Sequence, residues 1–466
     1  MRNGLTILAA CTFLLIWLNA CRKESIITDE DAVIYISADT IHFDTVFTTA
    51  GSVTGSIKIY NRNEKRMRLG SIRLMGGTSS FFSMNVDGSP GAEIRNAEIG
   101  ARDSLYVFVT VRIDPGNDSL PFLVRDSISI GDGRNRKWLQ LEAYGQNAKF
   151  IRNGVIDSDT RFEKGLPYVI LGGLVVRKDR KLTIAKGAKL FMHADAPIVI
   201  DGTLDVAGTA TDPVVFTGDR LDEGYRDLPA SWPGIYFRTT SKNNQLKYAI
   251  VQHAYQGLVA DQASADGSVK LSLEACTIRN IYEGGIIGIR SSIFAVNSLI
   301  ENCGRNVVLM QGGQYHFTHC TMAAYSNLYV QHKTAVLQID NWDSTASGLR
   351  SFPLEAKFEN NIIWAEEGIV DNEVSVSRRG SDPFQVILNH NLFRGKTDPL
   401  FSILNGNIRN QDPKFDSINT TKRYFDFRLQ KGVSPAIDKG IKSGVLQDLD
   451  GFNRDMTPDI GCYEKH

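Results

Sequence analysis

The chain has 466 residues, 42% of them apolar, with Lys+Arg and Asp+Glu equal at 52 each. That length allows two or three domains with ordinary cores, and the balanced charge argues against nucleic acid as a partner, since such binding rests on a basic surface. Forty-one glycines and the lack of long amphipathic helical pattern argue against an α/β enzyme and for a turn-rich β protein.

Residues 1–20 stand apart. Arg2 supplies a positive charge, residues 5–18 form an apolar run short for a membrane span, and Leu18-Asn19-Ala20-Cys21 follows. This resembles a bacterial lipoprotein signal, although Asn19 is looser than the usual pattern. The resemblance implies removal of residues 1–20, acylation of Cys21 by chains such as palmitate, and export. With more than one acyl chain the protein would be held firmly on a membrane, with the outer membrane the expected location. Residues 21–30 read as a polar tether.

Residues 31–146 carry strict alternation at Leu105, Val107, Val109, Val111 and Ile113, and turn signals such as Asp87-Gly88-Ser89-Pro90 divide the segment into about seven strands. A β-sandwich is expected. Phe43-Asp44-Thr45-Val46-Phe47, Ile59-Tyr60-Asn61 and Asp103-Ser104-Leu105-Tyr106-Val107 are similar to immunoglobulin-like domains of the abnormal-spindle and hydin type. Gly145-Gln146-Asn147-Ala148 marks the boundary.

From 150 to 433 short strand signals recur at a fixed pitch. Cys276-Thr277-Ile278, Ser298-Leu299-Ile300 and Cys320-Thr321-Met322 are spaced 22 residues apart, and the signal returns at Asn360-Asn361-Ile362-Ile363 and His390-Asn391-Leu392-Phe393. Units this short leave no room for a helix, and each has an apolar side that only a stacked neighbour covers. The expected fold class is therefore all-β, a sandwich followed by a right-handed parallel β-helix. Val251, Ile278, Ile300, Met322 and Ile363 should form one inward stack, and Asn280 over Asn302 an amide ladder at a bend. Cys276 and Cys320, two coils apart at ~4.8 Å per coil, are too distant for a disulfide. With Cys303 and Cys462 they are expected as buried thiols.

Aromatic residues offer a route to function. Tyr255 and Tyr282 align in successive units, and Trp342 and Trp364 lie in later ones; rings along a groove suit sugar faces, so these four are the candidate carbohydrate contacts. His253, His316, His319 and His332 lack metal-ligand spacing. The loop Asp219 to Asp227 mixes carboxylates with two arginines, which favours internal pairing over Ca²⁺. Asp448, Asp450 and Asn453 have the oxygen spacing of a short calcium loop without the bidentate Glu of an EF-hand, leaving Ca²⁺ as an alternative to a structural role and no other cofactor expected. Asp438, Arg454 and Asp459 are expected to fix a cap, residues 434–466, over the open end of the helix.

Leu182-Thr183-Ile184-Ala185-Lys186-Gly187, Ile200-Asp201-Gly202-Thr203-Leu204 and Trp232-Pro233-Gly234-Ile235 resemble the opening coils of pectate-lyase-like β-helix lipoproteins of Bacteroidetes-type bacteria. Ser434-Pro435-Ala436-Ile437-Asp438, Asp448-Leu449-Asp450-Gly451 and Asp459-Ile460-Gly461-Cys462-Tyr463-Glu464 resemble a carboxy-terminal choice-of-anchor module. The resemblance implies a surface or envelope lipoprotein. Signatures of polygalacturonase-like hydrolases and pectate-lyase-like enzymes are missing, so no catalytic residue is assigned. The expected role is binding of glycan or envelope partners, with a polysaccharide lyase or glycoside hydrolase as the alternative and a structural part of a surface complex as a third.

Overall fold

A computed structural model describes residues 25–28, 31–47, 54–113, 122–345, 348–366 and 369–465. The signal segment and Cys21 lie outside the described residues. The chain divides into two compact units, Met1–Asn147 and Ala148–His466.

The first unit is built from two sheets around one core. One orders Ile26–Thr28, Arg66–Leu74, Phe122–Ile130, Lys137–Gln146 and Thr40–Phe47, with Glu93–Ile99 also on Arg66–Leu74. The other orders Ile34–Ile36, Gly55–Asn61, Ser104–Val111, Phe82–Val86 and Ser89–Pro90. Alternation along Ser104–Val111 buries Leu105, Val107, Val109 and Val111, which meet Leu69, Ile128, Leu139 and Leu141 of the opposite sheet. The six- and five-stranded sheets exceed the seven strands expected. The additional ones are short or, like Glu93–Ile99, mostly polar, and give little alternation to read.

The second unit is a parallel β-helix whose strands belong to one 26-stranded sheet. Each coil crosses three faces in turn. The first face holds Thr203–Ala207, Asn244–Lys247 and Leu271–Glu274. The second holds Val214–Gly218, Ala249–Gln252, Thr277–Arg279, Leu299–Glu301, Thr321–Tyr325 and Ile362–Glu366. The third holds Ile198–Ile200, Ile235–Phe237 and Leu258–Asp261. The long strands Gly284–Val296 and Arg305–Thr318 each run through the third face into the next coil's first.

On the second face Val251, Ile278, Ile300, Met322 and Ile363 stand in register, all fully buried, as the repeat spacing requires. Stacked apolar side chains in adjoining coils are the main stabilising term of such a shaft. Tyr315, fully buried, donates its hydroxyl to the Gly312 carbonyl three residues earlier at 2.9 Å and accepts from the Ser291 amide at 3.2 Å. A Cβ at Gly288 would stand 2.7 Å from the Tyr315 ring, so this position needs glycine.

The corners repeat too. Tyr248, Ala275, Asn297, His319, Asn360 and His390, all with positive φ, turn the chain from first face to second, and His253, Asn280 and Asn302 turn it from second to third. An amide ladder does line the shaft, but at Asn361, Asn391 and Asn407, where Asn361 donates to Asn391 at 2.9 Å and Asn391 to Asn407 at 3.1 Å. Asn280 and Asn302 instead turn their amides to the Asp227 carbonyl and the Glu301 carboxylate. The left-handed residue points its side chain away from the shaft, and the residue after the first-to-second corner points inward, which is why the ladder sits there.

Residues past 410 differ from the expected end cap. The hairpin Phe415–Asn419 with Tyr424–Leu429 and the irregular chain after it run back along the side of the shaft. Asn360 exchanges hydrogen bonds with Ile441, His319 meets the Asp459 carbonyl at 3.1 Å, Arg454 donates to Asn297 at 2.9 Å, and Gly451 comes to Ala210. The reason lies in the outward positions of the second face. From Leu299 onward these are mostly apolar, through Ala323, Ile362, Trp364 and Leu392, with Glu301 and Thr321 as polar exceptions, and together with Ala275 at the corner they are covered by Phe415, Phe427, Leu449, Ile460 and Cys462 as a second core.

Candidate functional site

The second-to-third corner gathers the most chemistry. Because Val251, Ile278 and Ile300 stack, the next residues Gln252, Arg279 and Glu301 also share one register, pointing outward, and His253, Asn280 and Asn302 follow at the corner. The loop after Val214–Gly218 brings Asp227 to one side. The turn of the hairpin past 410 brings Lys422 and Arg423 to the other. These residues line a cleft of about 380 Å³, within the usual span of small-ligand sites.

Arg423 spans the opening to Asp227 at 3.2 Å and lies 4.7 Å from the ring centre of Tyr329. Asn280 donates to the Asp227 carbonyl at 2.7 Å, and Arg279 to Gln252 at 2.8 Å. Glu301 is 7% exposed and accepts a hydrogen bond from Asn302 at 2.7 Å. Burial pushes its carboxyl up to about 7, against the opposing pull of Arg279 and the Asn302 amide. His253 is driven the other way, down to about 4, by burial and then by Arg279. Near neutrality the cleft therefore offers a neutral imidazole, a carboxyl poised between its two forms, and exposed cations.

Tyr255 and Tyr282 lie two residues beyond His253 and Asn280. Their rings stack with centroids 5.5 Å apart at 24°, and at 44% and 54% exposure they present an open aromatic surface. The other two aromatic candidates are elsewhere. Trp342 is half-buried on the hairpin Trp342–Thr345 with Gly348–Ser351 and donates to Ser377 at 3.0 Å. Trp364 is only 5% exposed within the second core, which removes it as a surface contact.

The candidate calcium residues are used by the protein itself. Asp448 accepts from the Phe452 and Glu464 amides, Asp450 pairs with Arg428 at 2.8 Å, and Asn453 accepts from Gln447. Among the described residues no three His, Cys, Asp or Glu side chains cluster as a metal site would require. Asp459 accepts from the Asp438 amide at 2.8 Å, and Arg454 donates to the Asp459 carbonyl at 3.5 Å, so the three residues meant for the cap do gather. Glu464, which sequence reasoning passed over, is the buried carboxylate paired with Arg454 at 2.8 Å. The loop carboxylates are paired as well, Asp219 with His193 and Asp222 with Arg220, both at 2.7 Å.

Sequence reasoning also missed Arg279, Glu301, Lys422 and Arg423. The repeat held the signal for the first two, since aligning Val251, Ile278 and Ile300 sets Gln252, Arg279 and Glu301 in a row. Lys422 and Arg423 reach the cleft only through tertiary packing. Among the described residues no helix is long and apolar enough to cross a membrane.

No family model matches the chain, and no curated protein sequence does. Among solved structures, one match is a family 123 glycoside hydrolase from Clostridium perfringens whose report concerns glycolipid glycan hydrolysis. It is 10% identical over 27% of this chain and 26% of that one, with a TM-score of 0.18. The alignment spans about a quarter of that protein, and a likeness this small carries no argument about activity.

Proposed function

We propose that the protein is an exported lipoprotein, anchored through Cys21 to the cell envelope, whose β-helix binds glycan or an envelope partner at the second-to-third corner. The observation that carries the reading is the exposed, stacked Tyr255 and Tyr282 pair beside a polar cleft. Ordered aromatic faces with hydrogen-bonding side chains next to them suit sugar rings, which are apolar on their faces and polar at their rims. Glycan-array binding by the full chain tests this. Binding should fall at least about tenfold in Tyr255→Ala with Tyr282→Ala, as for central aromatic contacts elsewhere; unchanged binding refutes the corner as the site.

One observation favours the enzymatic alternative, a lyase or hydrolase on the same shaft. Glu301, with its carboxyl raised to about 7, is suited to hold and release a proton near neutrality. Release of unsaturated products or reducing ends from a polysaccharide panel, abolished in Glu301→Gln, would establish that reading over simple binding.

A further inference from the structure

The first face carries a second aromatic feature, on a side of the shaft that holds none of the corner residues. Gln245, Ser272, Phe294 and His316 occupy one outward register position in four successive coils. Phe294 and His316 stack with ring centres 4.4 Å apart at 11°, close to the ~4.8 Å rise between strands. One ring face of Phe294 is thus covered by the imidazole. The neighbour on its other side is Ser272, too short to cover the ring. The step from phenyl to hydroxymethyl leaves a hollow of about 490 Å³ over Ser272, bounded by Phe294, Gln245 and Ala207.

The charges around this hollow cancel. Lys247 pairs with Glu274 and Lys181 with Asp205, both at 2.6 Å, so two cations meet two anions and no net field is left to recruit an ion. Gln245 and Ser272 add neutral donors and acceptors. An open aromatic face, a shallow floor and neutral hydrogen-bonding groups at the rim match one ligand chemistry, an uncharged ring with an apolar face and hydroxyls at its edge.

We infer that the hollow over Ser272, walled by Phe294, is a second saccharide subsite, taking a neutral sugar ring stacked on the free face of Phe294. It stands apart from the corner site and can hold or fail without it.

The test uses the full chain carrying Tyr255→Ala and Tyr282→Ala, so that the corner does not contribute, titrated calorimetrically with neutral glucan, mannan, xylan and galactan hexasaccharides and with a galacturonate hexasaccharide. At least one neutral hexasaccharide should bind saturably. Phe294→Ala should weaken it by about tenfold or more, as loss of a central aromatic contact does. Phe294→Tyr should keep it, and Ser272→Trp, which fills the hollow, should abolish it. Since Phe294 and Ser272 are both partly exposed, each variant is checked for unchanged melting, and the two report independently. Absence of binding by any neutral hexasaccharide up to millimolar concentration overturns the inference. So does equal binding by Phe294→Ala and Ser272→Trp, or binding of the galacturonate alone. Loss of binding on introducing the two tyrosine changes, with none left to the first face, would uphold the corner and refute this subsite.

Discussion

Glu301 shows how one buried side chain links the fold to the site. Its register is set by Ile300, which must point inward, so the carboxyl is held at the floor of the cleft whatever its solvation cost. The folded group titrates near 7 and an unconstrained glutamate near 4.5. The folded chain therefore keeps a proton that the unfolded chain loses, and stability contributed by this group declines as pH rises from about 4.5 to about 7, by roughly 3 kcal/mol in full. Glu301→Gln removes that dependence. The melting temperature of the variant should gain on the wild type between pH 5 and pH 8; a constant offset would show that Glu301 ionises normally. His253 and His319, with lowered values, act in the opposite sense at the acid end, where falling pH destabilises. Arg454 and Glu464 form a buried pair, each 2% exposed, and Arg454→Ala should cost about 3–5 kcal/mol by stranding the carboxylate. A loss under about 1 kcal/mol in chemical denaturation would contradict that role.

At the scale of elements, the second face explains both what could be read in advance and what could not. A pitch of 22 residues aligns Ile278, Ile300 and Met322, and recurrence of the same strand motif adds Val251, 27 residues before, and Ile363, after an insertion, so the inward stack follows without any tertiary information. Most of the alternate residues on the same strands from Leu299 to Leu392 are also apolar, Glu301 and Thr321 excepted, and strands covered on both faces read as nearly continuous apolar runs. What covers the outer side could not be read from the repeat. The covering chain has no periodicity, so its lateral path leaves no mark in the sequence and an end cap is the simpler expectation for it. The same hidden cover buries Trp364, which by its place in the repeat would stand exposed. Deleting residues 434–466 should strip part of that cover, lower the melting temperature, shift Trp364 emission to the red and promote aggregation. Unchanged melting and emission would mean that this segment is dispensable to the second core.

At the scale of the whole molecule, the periodic pattern made the β-helix legible and strict alternation the sandwich, while the cleft had to await folding because Asp227 and Arg423 are 196 residues apart. Cys276, Cys303, Cys320 and Cys462 are buried free thiols. Mass spectrometry of unreduced protein should therefore find no linkage among them, and a Cys276 to Cys320 bridge would overturn the coil register. The proposed anchor is tested by Cys21→Ser, which should leave an unprocessed or soluble exported form; firm membrane attachment of a normally processed variant would sink it. The central claim is that glycan binds where the second face turns into the third. Hydrogen–deuterium exchange of the full chain, with and without a saturating glycan identified on the array, addresses it most directly. Protection should concentrate in residues 252–257 and 279–284, the two coils that carry Tyr255 and Tyr282. Protection confined to the sandwich or to other faces of the shaft, with these two segments exchanging as in the free protein, would contradict it.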